Sequence, residues 1–201
     1  MATQEYTIEQ EYGEVESNAL MLDEDTAKQM AAALNQDLAS LYVLHHQYHK
    51  HQWLVEGPQY RQLEQLFAMH AEQVELAAVE LGERINALGA VPAATMRRQI
   101  QEAYLEEEPD GALALRDMLE RDVESERAIA NKLREHIKLA QELGDYGTED
   151  LLKQTLEGAE KRAAFVQKHL ERESLNRGMI GTEPREEPVD PTRAQRAKRS
   201  S

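Results

Sequence analysis

Residues 50–64 read Lys50-His51-Gln52-Trp53-Leu54-Val55-Glu56-Gly57-Pro58-Gln59-Tyr60-Arg61-Gln62-Leu63-Glu64. Glu56-Gly57-Pro58 in the middle is a stop followed by a start, because glycine takes the left-handed position just past a helix and proline suits the first turn of the next. Upstream, from about Asp25 to Val55, Leu34, Leu38, Leu41, His45, Tyr48 and Gln52 recur at spacings of three and four, which is one face of a helix. Downstream, over about 58 to 88, Tyr60, Leu63, Phe67, His70, Val74, Leu81, Ile85 and Leu88 do the same until Gly89. Two long helices joined by a tight turn are predicted.

The link from Ala90 to Asp110 is too long for a hairpin, since adjacent antiparallel helices usually join through about 2 to 8 residues. A crossover is expected, with an amphipathic piece at 96–103 inside it. A third helix over 111–143 carries Leu115, Leu119, Ile129, Leu133, Ile137 and Ala140. Gly144 closes it, Thr148 is the expected cap of the fourth helix, and Glu149 and Asp150 suit that helix's positive end. Leu152, Leu156, Ala159, Ala163, Val166 and Leu170 then face inward. The result is an all-α chain with short, long and short connections, as in the ferritin-like bundle and compatible with other helical bundles.

Composition agrees. The 201 residues include 38 acidic and 23 basic, a formal net charge of −15, with 5% aromatics and no cysteine. Without cysteine there is no disulfide scaffold, zinc finger, iron–sulfur cluster or thiol nucleophile. A reducing, cytoplasmic setting is expected, with neither a secretory signal nor a membrane span. The acidity opposes a surface that wraps nucleic acid and favours cations as partners. Residues 1–24 read as an acidic flexible arm, 25–175 as the bundle, and 176–201 as a flexible tail. That tail contains Pro184, Pro188 and Pro191 and ends in the basic residues Arg193, Arg196, Lys198 and Arg199.

Five of the seven histidines, His45, His46, His49, His51 and His70, fall in one stretch. Imidazoles beside carboxylates suit first-row transition metals. His45 and His70, on the inward stripes, can equally be core histidines, and His46, His49 and His51 can be solvated. His45 and His49, at i and i+4, can also hold a divalent ion as a pair. No Glu stands three residues before a His, so the Glu-x-x-His pair of a di-iron site inside a bundle is missing.

The run from Lys50 to Glu64, followed by Leu81-Gly82-Glu83-Arg84-Ile85-Asn86-Ala87-Leu88-Gly89-Ala90-Val91-Pro92, resembles the Dps family, the DNA-protection-during-starvation mini-ferritins. Leu143-Gly144-Asp145 with Glu160, Lys161, His169 and Leu170 is similar to archaeal and cyanobacterial members. The resemblance spans about residues 15 to 175. It implies a ferritin-like four-helix bundle with a short extra helix in the crossover, assembled from twofold dimers into a dodecameric shell that oxidises Fe²⁺ with peroxide or oxygen and stores ferric mineral. Protection against oxidative stress is the role that follows.

The resemblance places the iron site between subunits. Glu64 and Glu83 stand nineteen residues apart on one helix, roughly 28 Å at 1.5 Å rise per residue, so only an antiparallel partner can bring them together. The family's four ligand positions fall on Gln52, Glu64, Val79 and Glu83, with Trp53 at its tryptophan. Glu83 alone keeps the family's residue, and Glu64 remains a usable ligand. A shifted set of Glu64, Glu80, Glu83 and His51 is a second arrangement. Glu72, Leu76, Val79 and Glu83 form a second stripe on helix two, which predicts a helix-to-helix dimer contact. The family's acidic entry channel corresponds to Asp145, Glu149 and Asp150, where Glu149 and Asp150 also simply suit a helix start. Two function classes follow: an iron-oxidising shell using Glu64, Glu83 and Trp53, and a non-enzymatic shell with a vestigial site, structural or DNA-associating through its tails. DNA binding is disfavoured, because twelve subunits carry roughly −180 in formal charge against short basic tails.

Overall fold

The structure is a computed structural model and describes residues 7–171; the tail expected at 176–201 lies outside the described residues. Five helices and no strand occur among those residues: α1 (Glu24–Leu54), α2 (Tyr60–Ala87), α3 (Met96–Glu102), α4 (Leu115–Glu142) and α5 (Tyr146–Leu170). The helices α1 and α2 form one hairpin and α4 and α5 another, α1 packs on α4 and α2 on α5, and α3 lies against α1. This is the ferritin-like bundle with its short extra helix in the crossover. None of the described helices is long and apolar enough to cross a membrane.

Local chemistry sets the ends. The Asp23 carboxylate caps α1, accepting from the Thr26 amide at 2.9 Å and the Thr26 hydroxyl at 2.8 Å, with Glu24 and Asp25 in the first turn. Gly57 takes the expected left-handed backbone, φ +98°. Two boundaries differ from the sequence reading. The helix α4 begins at Leu115 rather than 111, because Gly111 sits at φ +126°, outside any helix. Thr148 does not cap α5: Asp145 does, accepting from the Thr148 amide at 3.0 Å, which moves the helix start back to Tyr146.

The core runs along the bundle through Leu34, Leu41, Leu44, Phe67, Leu81, Ile85, Ile129, Leu133, Leu152 and Val166, all fully buried. On α1 the buried stripe passes through Leu44, Tyr48 and His51, so His45 and Gln52, expected inward, are only half-buried. The reason is that this end of α1 faces α4 and the crossover as well as α2, which turns the buried sector by one residue.

Within the acidic arm, residues 7–23 form no helix, and residues 10–16 are fastened to the end of α2. The Glu16 amide donates to the Gly89 carbonyl at 2.8 Å, the Gln10 amide donates to the same carbonyl at 2.8 Å, and Arg98 lies 4.2 Å over the Tyr12 ring. Gly89 has φ +84°, and a Cβ there would overlap the Glu16 carbonyl oxygen. Gly89→Ala is therefore expected to lose about 2 kcal/mol in chemical denaturation. Limited proteolysis should cut residues 10–16 faster in this variant, and an unchanged cleavage rate would show that Gly89 does not hold the arm.

Candidate functional site

Two groups of chemically active residues emerge, one inside the bundle and one on the outer faces of α1 and α2. The interior group is built on α4. Glu126 is fully buried, and the Arg162 guanidinium clasps it, Nε donating to Oε1 at 2.6 Å and Nη2 to Oε2 at 3.0 Å. The Tyr48 hydroxyl donates to the same Oε1 at 2.7 Å. One turn earlier Asp122 accepts from the Gln47 amide at 2.8 Å, and His51 Nδ1 lies 2.9 Å from its Oδ1, close but poorly aligned for a hydrogen bond. His51 Nε2 lies 3.1 Å from Glu108 on the crossover.

These side chains perturb one another. Burial pushes the Glu126 and Asp122 carboxyls up, opposed by Arg162 in the first case and His51 in the second. Burial disfavours protonating His51, yet the Asp122 and Glu108 carboxylates outweigh it, so its pKa is raised. As an imidazolium His51 donates through Nε2 to Glu108 and lies as a charge beside Asp122. The interior thus supplies its own cations, Arg162 and His51, to the two carboxylates on α4. Among the described residues no three His, Asp or Glu side chains are arranged to hold a metal ion.

A second buried group ties the crossover to the bundle. Asp37 lies 2.7 Å from His136 Nδ1 and accepts from the Tyr104 hydroxyl at 3.1 Å. Sequence reasoning missed both groups, since a carboxylate at a helical spacing gives no sign that it points inward.

The residues singled out beforehand divide accordingly. His51 leaves the metal set, because both its nitrogens face carboxylates of its own subunit and the ring is fully buried. His70 is a core histidine, 2% exposed, held neutral with its pKa lowered to about 4 by burial and then by Arg162 and His169. On the outer face of α2 Glu80 and Glu83 are exposed and Glu64 half-buried. Leu76 and Val79 beside them are 61% and 46% exposed. Trp53 is 74% exposed at the end of α1, next to Gln52, whose Oε1 lies 3.1 Å from His49 Nδ1. Burial, with His49 and His46 alongside, lowers the pKa of His45.

At the start of α5 the three expected channel acids have different surroundings. Asp145 is buried and engaged by Arg84 at 2.6 Å as well as by Thr148, so its carboxylate is committed within the subunit. Glu149 pairs with Lys153 at 2.6 Å, and Asp150 is exposed, accepting from Gln154 at 3.3 Å. An acidic opening here would rest on Glu149 and Asp150.

The chain and its bundle match known proteins. The family model described as Ferritin, ferritin-like domain, matches residues 31–175. The chain is 41% identical over 164 residues to the DNA protection during starvation protein of Halobacterium salinarum, covering 81% of this chain and 90% of that one. It belongs to the Dps family of ferritin-like proteins. Among Dps structures, an archaeal homologue from Halobacterium salinarum superposes with a TM-score of 0.82 at 39% identity, over 85% of this chain and 95% of that one. A Dps protein from Vibrio cholerae O1, described as a member of a broad superfamily of ferritin-like diiron-carboxylate proteins, superposes with a TM-score of 0.73 at 26% identity, over 77% and 97%.

Proposed function

We propose that this Dps-family chain forms a homo-oligomeric shell, a dodecamer built from twofold dimers, that binds Fe²⁺ between subunits, oxidises it and stores the ferric product, protecting the cell against oxidative stress. One observation carries the reading: α2 exposes Leu76 and Val79 beside Glu80 and Glu83, an apolar and acidic stripe that the subunit itself leaves uncovered. A partner laid antiparallel along it covers the apolar residues and brings Glu64 of one subunit toward Glu83 of the partner subunit. Two hard carboxylates bind Fe²⁺, though more weakly than a set that includes imidazole. Two Fe²⁺ ions then give one electron each to a peroxide, and the Fe³⁺ formed hydrolyses to mineral in the interior. The exposed indole of Trp53 lies at the same end of α1 as Gln52 and is placed to meet oxidising species formed there.

The second reading is a shell that does not oxidise iron. It is favoured by Val79, which offers no ligand atom, and by Gln52, whose amide oxygen is already engaged by His49. On this reading the role of the shell is structural or an association with DNA through its tails, in keeping with the Halobacterium relative's name, DNA protection during starvation protein.

The deciding experiment loads protein anaerobically with Fe²⁺ at a few ions per subunit, adds peroxide and follows ferric absorbance, beside a Glu64→Ala/Glu83→Ala variant. The proposal expects fast oxidation by the wild type and a rate near that of buffer in the variant. A wild type no faster than buffer leaves the non-enzymatic shell. Equal fast rates would show that the ligands lie elsewhere. Light scattering fixes the subunit number in both proteins. A gel shift at low salt, with and without residues 176–201, tests the DNA association, and no shift disposes of it.

A further inference from the structure

The outer face of α1 carries histidines that the interface reading leaves unused. His45 and His49 stand one turn apart with ring centroids 4.5 Å apart and planes at 88°. Two imidazoles that share a tetrahedral ion at metal–nitrogen distances of about 2.0–2.1 Å have centroids roughly 5 Å apart, so the separation of this pair is close to what a shared ion requires. The His46 ring centroid stands 5.5 Å from that of His45, and the negative charge of Glu75 on α2 weakly favours the protonated form of His45.

The surroundings of His49 go further than spacing. Gln52 Oε1 lies 3.1 Å from its Nδ1. An amide oxygen only accepts, so with Gln52 Oε1 in this place Nδ1 carries the proton and Nε2 of the neutral ring keeps its lone pair. Holding one ring nitrogen by a carbonyl while the other is left free is how metal-bound histidines are oriented. Trp53 stacks on the same ring, with centroids 5.8 Å apart and planes at 21°, which limits its rotation. His45 Nδ1 is buried without a hydrogen-bond partner, an arrangement that carries a cost if the ring serves packing alone.

We propose that His45 and His49 form a divalent transition-metal site on α1, one turn before Gln52, in which Gln52 orients His49 and is not itself a ligand. The neutral imidazole pair selects the N-preferring ions, Zn²⁺, Cu²⁺ and Ni²⁺, over Mg²⁺ and Ca²⁺, and holds Fe²⁺ less tightly than these, following the usual order of divalent affinities. Water, Glu75 or a carboxylate of a second subunit completes the coordination. The site stands on the side chains of one subunit and so does not depend on the carboxylates assigned to iron oxidation.

Calorimetric titration of the full chain with Zn²⁺ at pH 7 tests it, together with the anomalous signal of zinc in soaked crystals. The expectation is an anomalous peak about 2 Å from Nε2 of His49 and within ligand reach of His45. His45→Gln and His49→Gln should each weaken Zn²⁺ binding at least tenfold. Gln52→Leu should weaken it about tenfold, the effect of removing an orienting partner, while Glu64→Ala/Glu83→Ala leaves the zinc peak at His49 in place. No peak at His49, or Zn²⁺ binding by His49→Gln equal to wild type, overturns the proposal while the iron-oxidation assay stands on its own result. Both histidines are half-buried, so shell size and helical content, measured in parallel, are expected to be those of the wild type.

Discussion

Arg162→Ala should destabilise the protein by about 3–5 kcal/mol, the cost of leaving one member of a buried ion pair alone. Glu126 is fully buried and Arg162 nearly so, with exposed side-chain fractions of 0% and 5%. Removal of the guanidinium leaves the carboxylate with Tyr48 as its one remaining donor of the two. The group must then either stay charged in an apolar interior or take up a proton, and both routes cost stability at neutral pH. Chemical denaturation at pH 7 measures this, on samples matched for subunit number, because assembly itself adds stability. A loss under about 1 kcal/mol would mean that water reaches Glu126 and screens it. The triple change Tyr48→Phe/Glu126→Leu/Arg162→Met removes the whole polar unit and should recover most of the loss, since an apolar replacement is often neutral or better than a buried pair. Should the triple variant be worse than Arg162→Ala, the polar unit would be specifying the packing of α4 against α5 rather than merely tolerated within it.

Acid should weaken the fold through His70. Its pKa is depressed to about 4 by burial and then by the positive Arg162 and His169, against about 6.5 in an unfolded chain. The sign follows from which state takes the proton. Above pH 6.5 the ring is neutral in both states and the contribution is fully present. Between pH 6.5 and 4 the unfolded chain binds a proton that the folded one refuses, so stability falls with pH by about 3 kcal/mol. The Asp37, Asp122 and Glu126 carboxyls, raised by burial, act in the opposite sense as the pH falls. The His70 share is therefore read as a difference: denaturation of wild type and His70→Leu at pH 7 and pH 4.5. The variant should lose markedly less stability between the two. Equal losses would assign the acid response to other groups.

Much of the architecture was legible in the sequence because it rests on local chemistry. Gly57 and Pro58 mark the first turn, the leucine spacing on either side marks the faces, and the long stretch before α4 marks the crossover. The exposed positions of Leu76 and Val79 followed from a second stripe on α2 that the core did not need. The choice between His45 and His51 did not follow. A histidine reads alike on either stripe, and what buries His51 is Glu108, 57 residues further on, together with Asp122 on another helix. The cap of α5 was misplaced because Thr148 and Asp145 are both good capping residues and only the backbone decides between them. Asp37, Glu126 and Arg162 carry no signal in the sequence, since no spacing announces that a charge will meet its partner indoors. The iron site is half-legible for a different reason. One chain shows Glu64 and Glu83 but only a second copy shows whether they meet.

The seam between the two hairpins has a kinetic meaning. Each hairpin closes over a short turn, but the bonds that join them, Gln47 to Asp122, Tyr48 to Glu126 and His136 to Asp37, span 75, 78 and 99 residues. Contacts so distant along the chain come at a large entropy of closure. They are also polar, so they reward only exact mutual placement and add little to a loose encounter between the hairpins. The seam is therefore expected to set late in folding, and removing one of these bonds, as Tyr48→Phe does, should speed the opening of the bundle more than it slows its formation.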